Sequence, residues 1–250
     1  MITSLVDLRG NFGPARDQNP RPTCLAFAAS DAHAAVRPGW EPLSAEWAYY
    51  CALKRDGGHP DDGAKLGGML EAIKLDGQPA EAEWPYIQAP ITDINSWKPP
   101  GSVSELFYRD YGTCAVTVQD VIGQLDAGCP VLITMTLSKA FYRPSSEGVV
   151  DWVEPIDPKR RHAVVAVGHG ERRSSRFVLI RNSWGAAWGL QGYAWVSADY
   201  LTPRLTGSHH DYGAIDHVYG DHASAHQCPS LACRRGRRAG RWRRSLQCCD

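Results

Sequence analysis

Gln18-Asn19-Pro20-Arg21-Pro22-Thr23-Cys24-Leu25-Ala26-Phe27-Ala28-Ala29-Ser30-Asp31-Ala32-His33-Ala34-Ala35-Val36 is a polar, proline-punctuated approach to an alanine-rich run, which Pro38-Gly39 closes. Proline at the entrance and Pro-Gly at the exit predict a helix that begins near Cys24. A cysteine at that point meets unpaired N–H groups and the positive end of the helix dipole, which favour thiolate over thiol. Taken singly, such a cysteine is more often a small buried residue at the head of a core helix. A chemical role needs two partners, a proton acceptor and a group that holds the acceptor in place.

Both types of partner follow in the chain. Arg161-His162-Ala163-Val164-Val165-Ala166-Val167-Gly168 sets a histidine at the head of an apolar strand, 138 residues after Cys24. Ile180-Arg181-Asn182-Ser183-Trp184-Gly185-Ala186-Ala187-Trp188-Gly189 sets an amide side chain just after another. Nucleophile, base and orienter are the roles of a thiol acyl-transfer enzyme.

Working outward, Ser44 is a good N-cap for a second helix to about Lys54, and Gly68 to Leu75 reads as a third, ended by Asp76-Gly77. Beyond residue 115 the texture changes to short β-branched or aromatic runs: Val116–Val118, Val131–Leu137, Val149–Val153, Ala163–Val167, Phe177–Ile180 and Tyr193–Val196. The chain therefore reads as α+β, helical first and strand-rich second.

These residues carry a family resemblance. Val6-Asp7-Leu8-Arg9, Arg16-Asp17-Gln18, Cys24 six residues on, Ala26-Phe27, Gly67-Gly68, Glu83-Trp84-Pro85-Tyr86, His162-Ala163-Val164 and Asn182-Ser183-Trp184-Gly185 resemble, in order, the papain-like cysteine peptidases. The cysteine, histidine and asparagine spacing is a known pattern of that family. The resemblance covers residues 5 to about 200. It implies a two-lobed α+β fold, with a helical N-terminal lobe (about 10–112), a β-barrel-like C-terminal lobe (about 113–220) and an active-site groove between them.

The resemblance also implies roles. Cys24 is the nucleophile, His162 the base, Asn182 its orienter and Trp184 the shield of that hydrogen bond. Gln18 supplies an oxyanion donor, worth about 3 kcal/mol for a typical single donor. Gly67 and Gly68 would expose backbone to an extended substrate, and Leu70, Thr134 and Ala163 would line a specificity pocket. The implied reaction is hydrolysis of a peptide or protein substrate through a thioester, with no metal and no cofactor. A related thiol acyl-transfer enzyme and a non-catalytic binding protein on the same scaffold are the rivals. Four departures stand out: the family's second cysteine upstream is missing from Arg21-Pro22-Thr23-Cys24, Pro22 stands two residues before the cysteine where the family has glycine, Leu25 follows it where the family has an aromatic, and Arg161 puts a positive charge beside the base.

Composition sets the remaining bounds. The formal net charge is zero, but seven arginines fall in residues 221–250 against Asp221 and Asp250, which leaves 20 basic and 25 acidic residues in 1–220. The tail, with His222, His226, Cys228, Cys233, Cys248 and Cys249, reads as disordered; its spacing lacks the paired form of a zinc site, and nucleic acid is the weaker reading of its arginines. Folding back of this basic tail onto the acidic body is a further expectation. Only Cys24, Cys51, Cys114 and Cys129 lie in the body, irregularly spaced, and read as unpaired thiols. No stretch approaches the roughly 18 apolar residues of a membrane span, and the first residues lack the pattern of a secretory signal. A cytoplasmic location is the expectation.

Overall fold

The computed structural model describes residues 1–113, 116–151 and 154–214. The alanine run forms α1 (Cys24–Ala35), in which every residue after Cys24 is buried. A helix covered on all sides belongs at the centre of a fold. α2 (Ala45–Asp56) starts where expected, with Ser44 Oγ accepting the Trp47 N–H at 3.0 Å, and ends on Gly57 in the left-handed region at φ 63°. α3 spans Leu66–Leu75, two residues earlier than expected, so Gly67 and Gly68 lie in its first turn. Gly68 is needed there because the Asp56 carboxylate, which accepts the Lys65 N–H at 2.7 Å, occupies the space of a Cβ.

The second half contributes β2 (Arg109–Thr113), β3 (Val131–Leu137), β4 (Val149–Val150), β5 (Asp157–Arg172), β6 (Ser175–Arg181), β7 (Tyr193–Ser197) and β8 (Leu205–Ala214), with β1 (Thr3–Asp7) added from the N-terminus. The order is β2-β8-β3-β5-β6-β7-β4, and β1 pairs with β5. Every pairing is antiparallel except β4 with β7. Among the described residues β2 and β4 end the order without pairing to each other and β1 pairs with β5 alone, so the sheet is not a closed barrel and the barrel-like expectation is corrected. α4 (Val118–Asp126), α5 (Lys139–Tyr142) and α6 (Ala198–Leu201) are the remaining α-helices among the described residues, with a 3-10 turn at Arg9–Asn11.

Strand alternation splits the core in two. Leu132, Ala163, Val165 and Val167 pack with α1, α2 and α3, whereas Val131, Ile133, Val164 and Ala166 pack with α4 on the opposite face. The strand expected at Val116–Val118 is absent: Thr117 Oγ1 accepts the Asp120 N–H and caps α4, whose Val121, Ile122 and Leu125 form a helical apolar stripe. Of the run Val149–Val153, Val149–Val150 form β4, while 152–153 lie outside the described residues. Cys129, expected as an unpaired thiol, is disulfide-bonded; Cys51 is free, and burial pushes its thiol up to about 12. Cys114 and the tail from 215 lie outside the described residues.

One charge cluster ties the layers together. Asp31 of α1 accepts Arg16 Nε at 2.9 Å and Arg181 Nε at 2.6 Å, and Arg181 also donates to the Gly13 and Pro14 carbonyls and to Tyr193 Oη. Burial opposes the charge on Asp31, but the two guanidiniums outweigh it and hold the carboxyl below its usual range. Removing one partner from such a buried cluster strands the others, at a cost of about 3–5 kcal/mol. Asp31→Ala is therefore expected to lower the unfolding free energy by about that amount. Urea denaturation at neutral pH checks this, and an unchanged midpoint would contradict it.

Candidate active site

Cys24 is the first residue of α1, and the polypeptide reaches it through a segment locked by a second buried ion pair. Arg21 meets Glu46 with two bonds, 2.7 and 2.9 Å, and Glu46 also accepts Trp97 Nε1 and the Ile87 N–H. The thiol lines a groove of about 870 Å³ together with Pro22, Leu66, Thr134, His162 and Ala163. Burial raises the Cys24 pKa, and the N–H groups of Ala163, Leu25 and Cys24 itself offset this only in part.

His162 stands on β5 directly across from Met135 of β3. Its Nε2 lies 2.7 Å from Asn182 Oδ1. That oxygen also accepts the Ser183 N–H at 2.9 Å. A peptide N–H is always a donor, so it fixes the atom facing it as the amide oxygen. The oxygen in turn requires a proton on His162 Nε2, which leaves Nδ1 as the basic nitrogen. The ring is 5 % exposed and packed against Trp184, with centroids 4.7 Å apart, and Phe141 meets it edge-on. Burial lowers the His162 pKa to about 4, against the smaller opposing effect of the Asn182 bond.

Gln18 reaches this cluster from the N-terminal segment. Asp17 and Trp184 form an antiparallel bridge, and the Gln18 N–H donates to the Ser183 carbonyl at 2.8 Å. Gln18 Oε1 accepts Ser183 Oγ at 2.8 Å, and Nε2 donates to the Arg21 carbonyl at 2.8 Å. Gln18 thus packs beside the Asn182–Ser183 turn, and one Nε2 hydrogen remains beyond the one given to Arg21.

The expected substrate contacts divide. Thr134 and Ala163 face the groove, joined by Thr206, whose Oγ1 is 3.0 Å from Thr134 Oγ1. Leu70 packs half-buried against the helical core, and the wall expected from Gly67-Gly68 is supplied instead by Gly63, Ala64, Lys65 and Leu66. Sequence reasoning missed Leu66, Thr206 and the aromatic packing of Phe141, Tyr142 and Trp188 around Trp184, of which Tyr142 stacks at 14°. Only Trp188, in the quoted tryptophan-glycine segment, left a signal. Among the described residues no group of three or more His, Cys, Asp or Glu is placed to hold a metal, and no helix is long and apolar enough to cross a membrane.

A cysteine at a helix head, a tautomer-locked histidine and its asparagine share one groove, and the sequence profile described as papain family cysteine protease matches residues 3–202. The chain belongs to this family. Among similar proteins, a cathepsin L-like proteinase of Phaedon cochleariae is 23% identical over 74% of this chain and 56% of its own length. Cathepsin K of Gallus gallus is 27% identical over 74% of this chain and 55% of its own. The chain spans little more than half the length of these relatives. Two solved structures share the papain-family fold. Xylellain, a cysteine protease from Xylella fastidiosa, has a TM-score of 0.67 at 22% identity, covering 84% of this chain and 86% of that one. The bromelain protease from Ananas comosus, solved with the E64 inhibitor, has a TM-score of 0.62 at 23% identity, covering 82% and 97%.

The buried imidazole makes the papain-family site sensitive to Trp184. Below about pH 6.5 an unfolded histidine takes up a proton that the folded ring refuses until about pH 4, so stability falls with pH across that window, by about 1.4 kcal/mol per unit. Trp184→Ala is expected to admit water and raise the His162 pKa from about 4 toward 6.5. NMR titration of labelled histidine measures this, and an identical midpoint in both proteins would show that the tryptophan does not set the desolvation.

Proposed function

We propose that the chain is a cysteine peptidase that hydrolyses peptide bonds through a thioester on Cys24. The observation that carries this reading is the Ser183 N–H on Asn182 Oδ1, because it leaves His162 with Nδ1 as acceptor in the groove that holds the thiol. Nδ1 takes the thiol proton, and the sulfur attacks the substrate carbonyl. The Cys24 N–H and the remaining Gln18 Nε2 hydrogen are assigned to the oxyanion, and the imidazolium then gives its proton to the departing amine. Water, activated by the same Nδ1, attacks the thioester and releases the acid.

A peptide or protein substrate fits an open groove, and no step requires a metal or cofactor. We infer a peptidase domain over residues 1–220, in keeping with the helices on one side and the sheet on the other. The disulfide at Cys129 favours an oxidising compartment over the cytoplasmic expectation.

A thiol-directed epoxide is expected to label Cys24 in the reduced protein and to leave Cys24→Ala unlabelled. Labelling only elsewhere, or none, overturns the assignment. On a cleaved peptide, Gln18→Ala is expected to lower kcat by about 10²–10³-fold with folding intact. Equal rates for variant and parent would remove Gln18 from the oxyanion site.

A further inference from the structure

Four charged side chains line the groove: Asp56, Asp62, Lys65 and Arg161. Their formal charges cancel, but their commitments differ. Asp56 accepts the Lys65 N–H at 2.7 Å and lies against the first turn of α3, where the helix dipole compensates a negative charge. Asp62 Oδ2 accepts the His59 N–H at 3.2 Å. The two cations are unspent: the Lys65 ammonium and the Arg161 guanidinium are exposed and make no ion pair or hydrogen bond among the described residues.

The backbone aims Arg161 at this position. Thr134 pairs with Ala163 and Thr136 with Arg161, so these four residues share the face of the sheet that lines the groove. A bulge then inserts residues 158–160 before Leu137 pairs with Asp157. Bulges of this kind re-aim a neighbouring side chain. Arg160 is held by Asp157 and Tyr142, which leaves Arg161 alone to face the cleft. It lies two strand residues from Ala163, about 7 Å along the chain. An extended substrate repeats at the same rise, so Arg161 reaches a side chain within about two residues of the bond held at Cys24.

We infer that the groove selects peptides with an acidic side chain within about two residues of the cleaved bond, held by Arg161, with Lys65 adding positive charge from the facing wall. The inference rests on the peptidase reading for its position along the substrate. The hydroxyls of Thr134, Thr136 and Thr206 supply further donors on the same face.

The test uses matched fluorogenic peptides that differ only in carrying Glu, Gln or Lys, stepped through two positions on each side of the cleaved bond. At one position Glu is expected to exceed Gln in kcat/KM by about tenfold and Lys to fall below both, with the difference shrinking between low and high salt. Arg161→Glu is expected to reverse the Glu-to-Lys ratio, Arg161→Gln to abolish it and Lys65→Glu to reduce it, each variant first shown to melt as the parent does. Equal rates for the three peptides, a preference for Lys, or a Glu preference that survives in both Arg161 variants overturns the inference. A second arm measures fluorescence anisotropy of a glutamate-bearing and a lysine-bearing peptide on the Cys24→Ala protein. If no peptide is cleaved the peptidase reading fails, while the anisotropy ratio still decides charge selection in the groove.

Discussion

Asp31, held between Arg16 and Arg181, is the contact on which the geometry of the site depends. Each member belongs to a different segment of the candidate site. Arg16 precedes Gln18 by two residues, Asp31 lies about two turns along α1 from Cys24, and Arg181 is the neighbour of Asn182. The cluster therefore sets the helix that carries Cys24 against the strand end that carries Asn182. Buried ion pairs contribute little net stability relative to apolar packing, since desolvation costs about as much as attraction returns. Their effect is to penalise every arrangement in which one member loses its partners. Arg21 with Glu46 applies the same constraint to the loop between Gln18 and Cys24.

From that frame a short polar chain runs through Ser183. Its carbonyl accepts the Gln18 N–H, its hydroxyl donates to Gln18 Oε1, and its own N–H orients the Asn182 amide. Three contacts from one residue thus position both the Gln18 amide and the Asn182 amide that holds the imidazole. The aromatic layer of Phe141, Tyr142, Trp184 and Trp188 acts on the same ring by excluding water. Burial works against both charges, raising the Cys24 pKa and lowering that of His162. In the resting groove it therefore favours the neutral thiol and neutral imidazole. In the mechanism proposed above, proton transfer from Cys24 to His162 would create two opposite charges at once, and their mutual attraction is stronger there than in water.

The parts of this arrangement that were legible in the sequence are those that local chemistry dictates. The proline-flanked alanine run fixed the head of α1, and continuous apolar stretches marked β3, β5 and β6, each covered on both faces along its apolar stretch. The illegible parts depend on partners distant in the chain. β8 includes Ser208-His209-His210-Asp211 and has no apolar alternation; it is a strand because β2 and β3 pair with it on either side. The short run at Val116 was overridden by the cap at Thr117, and the open sheet edges are a matter of which strands meet. Gly67-Gly68 suggested exposed backbone, but a side chain from α2, Asp56, explains Gly68.

The departures from the family pattern around the nucleophile have separate fates. Leu25 is buried within the helical core and also lines the groove beside Cys24, so it both packs and shapes the cleft. Pro22 remains in the wall, and its carbonyl lies against Gly63, whose φ of 79° suits a residue without a Cβ. Arg161 is exposed in the groove wall, makes no ion pair or hydrogen bond among the described residues, and stands next to His162. A full positive charge there opposes an imidazolium at His162, but its exposure lets water screen that repulsion while the guanidinium stays available to a ligand. The substitutions therefore leave the hydrogen-bonded relay from Ser183 to His162 untouched and alter the lining of the groove. His162 lines the same groove as Cys24 with its ring covered by the Trp184 layer, while its strand neighbours Arg161 and Ala163 share the sheet face that carries Thr134 and Thr136.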